Sequence, residues 1–247
     1  MINPLKPSSI QSVAWETGLK AVKESIIFSS FDAFRSHLTQ NMRQNSEEVR
    51  KRYSSLILLR LFPEKSLDGI NPQVWRYYSD EKILEDIARV TTLEAEPVIA
   101  KFVLEHIFVL PPASRIENYT IQDFISSEYG SFKPDSYKRL RQFLVHMDFV
   151  ESDKDGLIVL PIPRPDTAFL ILLHARMAPT KRIVRISDIL TELFWKFLGI
   201  REESTVRDIL REAEAKGLIA RYIVVDQLEQ ITTRYSYEEY LSNAFRL

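Results

Sequence analysis

Residues 133–160, KPDSYKRLRQFLVHMDFVESDKDGLIVL, decide how the rest of the chain is read. Pro134 suits the first turn of a helix, where the N–H it lacks would go unbonded anyway. Leu140, Phe143, Leu144 and Met147 then recur at three- and four-residue steps, which makes one buried stripe. Phe149-Val150-Glu151, an Asp155-Gly156 turn and Leu157 to Leu160 read as a short hairpin. Working upstream, Thr120 caps a helix over Ile121 to Tyr129 that Gly130 ends. Before it, an apolar helix runs from about Glu96 to Leu110, with Pro97 in its first turn and Pro111-Pro112 as its stop.

The same order returns at an offset of about 69 residues. The shift sets Phe102 on Ile171, Ile121 on Leu190, Phe124 on Leu193, Leu140 on Ile209 and Val150 on Ile219. Identities are few; it is the hydrophobic pattern that repeats. In the second copy Asp166 to Met177 is the first helix, Ser187 caps a second ending at Gly199, and Ser204 caps a third ending at Gly217. Ile219 to Val225 and Leu228 to Thr233 form the hairpin across Asp226-Gln227. Three helices followed by a hairpin is the order of a winged helix, whose third helix can enter a major groove while the hairpin meets the flanking backbone. Winged helices also dock proteins, so the order by itself leaves both uses open.

The first part of the chain reads as a succession of helices. Trp15, Leu19, Val22 and Ile26 mark one near Ser9 to Phe28, Asp32 caps a second, and Asn45 with Glu48 opens a third that runs to about Leu61. FPEKSLDGINPQ, residues 62–73, has the composition of a linker, and Asp80 caps a further helix with Ile83, Leu84 and Ile87. The expected fold is therefore mainly α: a helical bundle over 1–93, then winged-helix-like units with short hairpin wings over 94–163 and 164–247.

The 247 residues are 45% hydrophobic and 27% charged, ordinary for a globular chain. With 33 Lys+Arg against 34 Asp+Glu, the formal charge is -1, so contact with an anionic polymer must rest on local patches. The absence of cysteine excludes disulfides and thiolate metal sites. The opening MINPLKPSSIQSVAWETG has no apolar core of signal-peptide length, and Ala168 to Leu173 is too short to span a bilayer; the expectation is a cytoplasmic protein.

The helix from Pro134 is the best groove candidate. Lys133, Ser136, Tyr137, Lys138, Arg139, Arg141 and Gln142 fall in or beside its first two turns; Arg and Gln suit base edges, while Ser, Tyr and Lys suit phosphates. A solvated basic face is the alternative. In the second unit Arg207 stands among Glu202, Glu203, Asp208 and Glu212, whose spacing suits salt bridges on the helix surface. The wings add Lys154 and Arg221. Near the N-terminus Arg50-Lys51-Arg52 is the densest cation cluster; its members fan around a helix, and Arg43 and Arg50 can face one backbone or simply pair with nearby acids.

Enzymatic signals are absent. His37, His106, His146 and His174 lack metal-ligand spacing, His106 and His174 lie on apolar helices as structural groups do, and the six glycines fall singly. No cofactor, metal or small-molecule substrate is expected.

Gly18-Leu19, Glu24-Ser25, Asn41, Asn45-Ser46, Lys51-Arg52, Arg60-Leu61 and the helix and hairpin from Tyr137 to Val150 carry a family resemblance. Through them the first 150 residues resemble the BrxA-like small component of bacterial BREX phage-defence systems, a family also described as NusB-like. The resemblance implies a NusB-like helical half joined to winged-helix elements, no catalysis, and DNA binding within a multi-protein defence system. The chain beyond about residue 165 exceeds it, which leaves open a larger branch of the family or a relative in another system. Two functions are carried forward: a duplex-DNA-binding accessory protein, and an assembly adaptor with no nucleic-acid role, for which Trp75, Tyr77 and Tyr78 are candidate anchors. RNA binding follows only from the NusB-like likeness; no aromatic stacking motif supports it.

Overall fold

Hydroxyl side chains open the early helices. In the computed structural model, which describes residues 13–226 and 228–243, α1 (Val13–Ser25) is followed by α2 (Phe31–Gln40) and α3 (Glu47–Leu61). Ser30 Oγ accepts from the Ala33 N–H and Ser46 Oγ from the Val49 N–H, each at 3.2 Å. The sequence points to Asp32 and Asn45 for these two caps; a serine one or two residues away takes each role instead. α1 meets α3 closely at Gly18, where a Cβ would lie 2.6 Å from Leu61 Cδ1. Phe34 and Phe62, ring centroids 4.8 Å apart, help fill the space beside α2.

The chain then forms α4 (Ile70–Tyr78) and α5 (Glu81–Ala95), so a helix begins inside the stretch read as linker. Asp80 does cap α5, accepting from the Ile83 N–H at 3.0 Å. Contacts group the molecule into two compact units. The first holds residues up to Gln73 together with Thr91–Pro163, and the second holds Val74–Val90 together with everything from Arg164. The segment 74–90, which the sequence reading places in an N-terminal bundle, thus belongs with the C-terminal part.

In the first unit α6 (Pro97–Phe102) continues through a π-helical turn at Val103–Ile107. β1 (Arg115–Glu117), α7 (Asn118–Tyr129), α8 (Pro134–His146), β2 (Val150–Ser152) and β3 (Gly156–Val159) complete it, with an antiparallel sheet ordered β1-β3-β2. Gly156 faces Glu117 in the register, and a Cβ there would collide with the backbone of Ile116. The unit buries an ion pair: Arg60 Nε donates to Glu96 Oε1 at 2.7 Å, and the guanidinium lies over the Phe143 ring at 4.9 Å. Burial raises the Glu96 carboxyl above its usual range despite the guanidinium beside it.

The second unit repeats the element order with α9 (Asp166–Met177), β4 (Ile183–Arg185), α10 (Ile186–Thr191), α11 (Phe194–Phe197), α12 (Glu203–Ala215), β5 (Ile219–Val225) and β6 (Leu228–Thr233). α13 (Tyr237–Asn243) follows, and the sheet order is β4-β6-β5. Most corresponding elements start 68 or 69 residues apart: Pro97 and Asp166, Arg115 and Ile183, Asn118 and Ile186, Pro134 and Glu203, Val150 and Ile219; only the last strands, from Gly156 and Leu228, are set further apart by a longer second hairpin. The protein is mainly helical, with two small three-stranded antiparallel sheets.

Three local expectations need correction. The strands β1 and β4 are only three residues long, too short for a periodicity signal, and each runs directly into a helix. For that reason Glu117 and Arg185, the last residues of those strands, occupy the cap positions, while Thr120 and Ser187 lie inside their helices. Ser204 is likewise inside α12, which Glu202 precedes as cap. Finally, the single helix expected between Ser187 and Gly199 is broken where Glu192 turns to extended geometry, ψ 153. Gly130, Gly199 and Gly217 do end helices at positive φ, 71, 84 and 70. In the second hairpin turn Asp226 has φ 53, and Gln227 lies outside the described residues.

Candidate nucleic-acid interface

The stripe of α8 is buried as expected, with Leu140, Phe143, Leu144 and Met147 all at 0% exposure. That orientation fixes which polar side chains reach solvent. Lys133, Lys138 and Gln142 are exposed, and Arg139 is half-buried. Ser136 is not available to a ligand: it is fully buried, and its Oγ has no hydrogen-bond partner. It sits four residues before Leu140, on the same side of the helix, so the stripe carries it inward.

Arg141 takes a different role from the one its position in the sequence implied. Its Nη1 donates to Asn118 Oδ1 and, at 2.9 Å, to the Tyr137 hydroxyl. Its Nη2 donates to Ser152 Oγ at 3.1 Å, to the Asp153 carbonyl at 3.3 Å and to the Gly156 carbonyl at 2.9 Å. One guanidinium thus ties α8 to the start of α7 and to both sides of the β2–β3 turn. Tyr137 belongs to the same network, since its hydroxyl donates to Asn118 Oδ1 at 2.7 Å. Both side chains are half-buried, and every acceptor on Arg141 is neutral, so the guanidinium is held without an ion pair among the described residues.

A groove of about 310 Å³ opens beside this network, lined by Tyr137, Lys138, Arg141, Gln142, Val145, His146 and Ser152. Lys154 is exposed at the adjoining turn. Lys133, Lys138 and Lys154 have no ion-pair partner among the described residues. Asn118 and Ser152 were not picked out from the sequence; they come from α7 and β2, and only the fold brings them to α8, whose own last residue is His146.

Of the remaining candidates, Lys51, Arg50, Arg52 and Arg207 are engaged within the fold, while Arg43 and Arg221 are exposed. Lys51 pairs with Glu47 at 2.7 Å, and Arg50 Nη1 donates to the Gln44 and Asn45 carbonyls at 3.0 and 3.2 Å, closing the turn before α3. Arg52 lies over the Tyr53 ring at 5.7 Å and Arg43 is exposed in the α2–α3 loop. In the second unit Arg207 is bound by Glu229 at 2.8 Å and Glu203 at 3.1 Å. Those two carboxylates raise its pKa. Arg221 is exposed on β5.

His106 and His174 pack against aromatic rings. His106 packs between Phe102 and Phe124, with centroids 4.9 and 5.6 Å away. His174 is buried, its Nδ1 lies 2.8 Å from the Leu170 carbonyl, and its ring stacks on Tyr240 at 4.1 Å. Among the described residues no three His, Cys, Asp or Glu side chains are placed to hold a metal, and no helix is long and apolar enough to cross a membrane. Comparison with family models, with curated proteins and with solved structures finds no match to the chain.

Proposed function

We propose that the protein is a non-catalytic, duplex-DNA-binding accessory component, and that its two repeated units are winged helices behind a NusB-like set of helices. The element order, and sheets in which the last strand lies centrally between the other two, support the winged-helix reading. In this reading α8 approaches a major groove, and Lys154 meets the backbone from the β2–β3 wing. The observation that carries it is electrostatic. In a chain of net charge -1, where Lys51, Arg60 and Arg207 all face carboxylates, Lys133, Lys138 and Lys154 remain uncompensated along one helix and its hairpin. The sequence resemblance supports service in a bacterial phage-defence system of BREX type, which operates in the cytoplasm.

The test is binding of the purified protein to a random-sequence duplex across a salt series. Affinity should fall steeply between 50 and 200 mM salt, since each neutralised phosphate contributes about -0.9 to the log–log slope. Lys154→Ala should weaken binding to all sequences alike. A flat salt response would overturn the reading.

A second reading, docking of a partner protein, draws on one observation in the second unit. Its hairpin tip exposes Val224, Val225 and Leu228 by 59%, 56% and 44%, and apolar side chains are poor ligands for phosphate. Under this reading Val224→Asp with Leu228→Asp abolishes recovery of protein partners after nuclease treatment, and the wild type shows no salt-sensitive binding to duplex DNA.

A further inference from the structure

We infer that the groove between α8 and β2 seats one backbone phosphate of the duplex, gripped by the Lys138 ammonium and the Ser152 hydroxyl with the Arg141 guanidinium behind them. The inference rests on the DNA-binding reading and goes beyond it by naming where a phosphate sits.

Three observations carry it. First, the polar groups lining the groove are Tyr137, Lys138, Arg141, Gln142, His146 and Ser152, with no carboxylate among them. Other grooves of the same unit differ. The one between α2 and α3 contains Lys51 already paired with Glu47, and the one beside α1 is lined by Glu16 and Glu24. His146, at the rim, pairs with Glu16 at 3.2 Å. Second, Arg141 is held by five neutral acceptors and makes no ion pair among the described residues, so its side chain is already ordered when an anion arrives. Third, Ser152 Oγ accepts from Arg141 Nη2, which leaves its own O–H to donate, polarised by the cation behind it. The second unit lacks this arrangement. Sixty-nine residues on from Lys138 stands Arg207, neutralised by Glu203 and Glu229, and on from Arg141 stands Leu210.

The experiment compares wild type, Lys138→Ala, Ser152→Ala and Lys51→Ala on one random duplex across a salt series. Lys138 and Ser152 are exposed, so neither variant disturbs the core, and matching far-ultraviolet spectra check this. Lys138→Ala should weaken binding about tenfold and reduce the salt slope by about one. Ser152→Ala should cost severalfold, and Lys51→Ala should bind as wild type. If wild type binds in a salt-dependent way but Lys138→Ala and Ser152→Ala match it, the subsite is overturned while DNA binding stands. If wild type does not bind, both readings fall together.

Discussion

At the scale of single residues, His174 shows how burial sets a protonation state. Its Nδ1 uses the Leu170 carbonyl, its Nε2 is buried with no partner, and burial pushes its pKa down to about 4. In the unfolded chain the same group titrates near 6.5. The folded state therefore binds fewer protons between these values, so the stability is fully present above about pH 6.5 and is lost as pH falls toward 4. The loss amounts to roughly 3 kcal/mol over the window. A His174→Phe variant, which keeps an aromatic ring against Tyr240, should show a shallower decline in melting temperature than wild type over that range. Equal slopes for the two proteins would rule the account out. The sequence already pointed to a structural histidine, because residue 174 lies on an apolar helix. It did not reveal that Ser136 is buried or that Arg141 is internally bonded. Polar residue types announce exposure on average, whereas helix phase and distant partners such as Asn118 and Ser152 decide the individual case.

At the scale of elements, the Arg141 network makes α8 and its hairpin one mechanical piece. Arg141→Ala removes bonds to α7, β2, the turn and β3 together, and should lower stability by about 2 kcal/mol. Amide hydrogen exchange over Val150–Val159 should accelerate beyond the change in global stability; uniform acceleration across the unit would argue against a local latch. Arg141→Lys keeps the charge but loses the fork, so it should rescue little. The hairpins were among the most readable elements: Ile219–Val225 and Leu228–Thr233 match their expected limits, since β-branched runs around a turn signal are hard to mistake. The breaks were not readable. Nothing in the stretch from Ile189 to Phe197, which lacks Gly and Pro, marks Glu192 as the point where the helix stops.

At the scale of the whole molecule, chain order and spatial order disagree. The border between the two units cuts through α4 and α5, so cutting the chain at the sequence-derived boundary of 163/164 leaves the second unit without residues 74–90, which stay on the piece that holds the whole first unit. Val74, Leu84, Ile87 and Val90 are fully buried, and they belong to the second unit. A fragment of residues 164–247 should therefore bind a hydrophobic dye and melt without a cooperative transition, and adding 74–90 in trans should restore order. Cooperative melting of 164–247 alone would contradict the grouping. This interleaving was hidden because periodicity reports that a helix has an apolar face, but not which neighbour covers it. It also bears on synthesis. Residues 74–90 leave the ribosome long before Arg164, and at 5–20 residues per second the wait is roughly 4–15 s. During that interval the nascent chain carries an apolar surface with its cover still untranslated, which makes folding of the second unit sensitive to any pause in translation between the two segments.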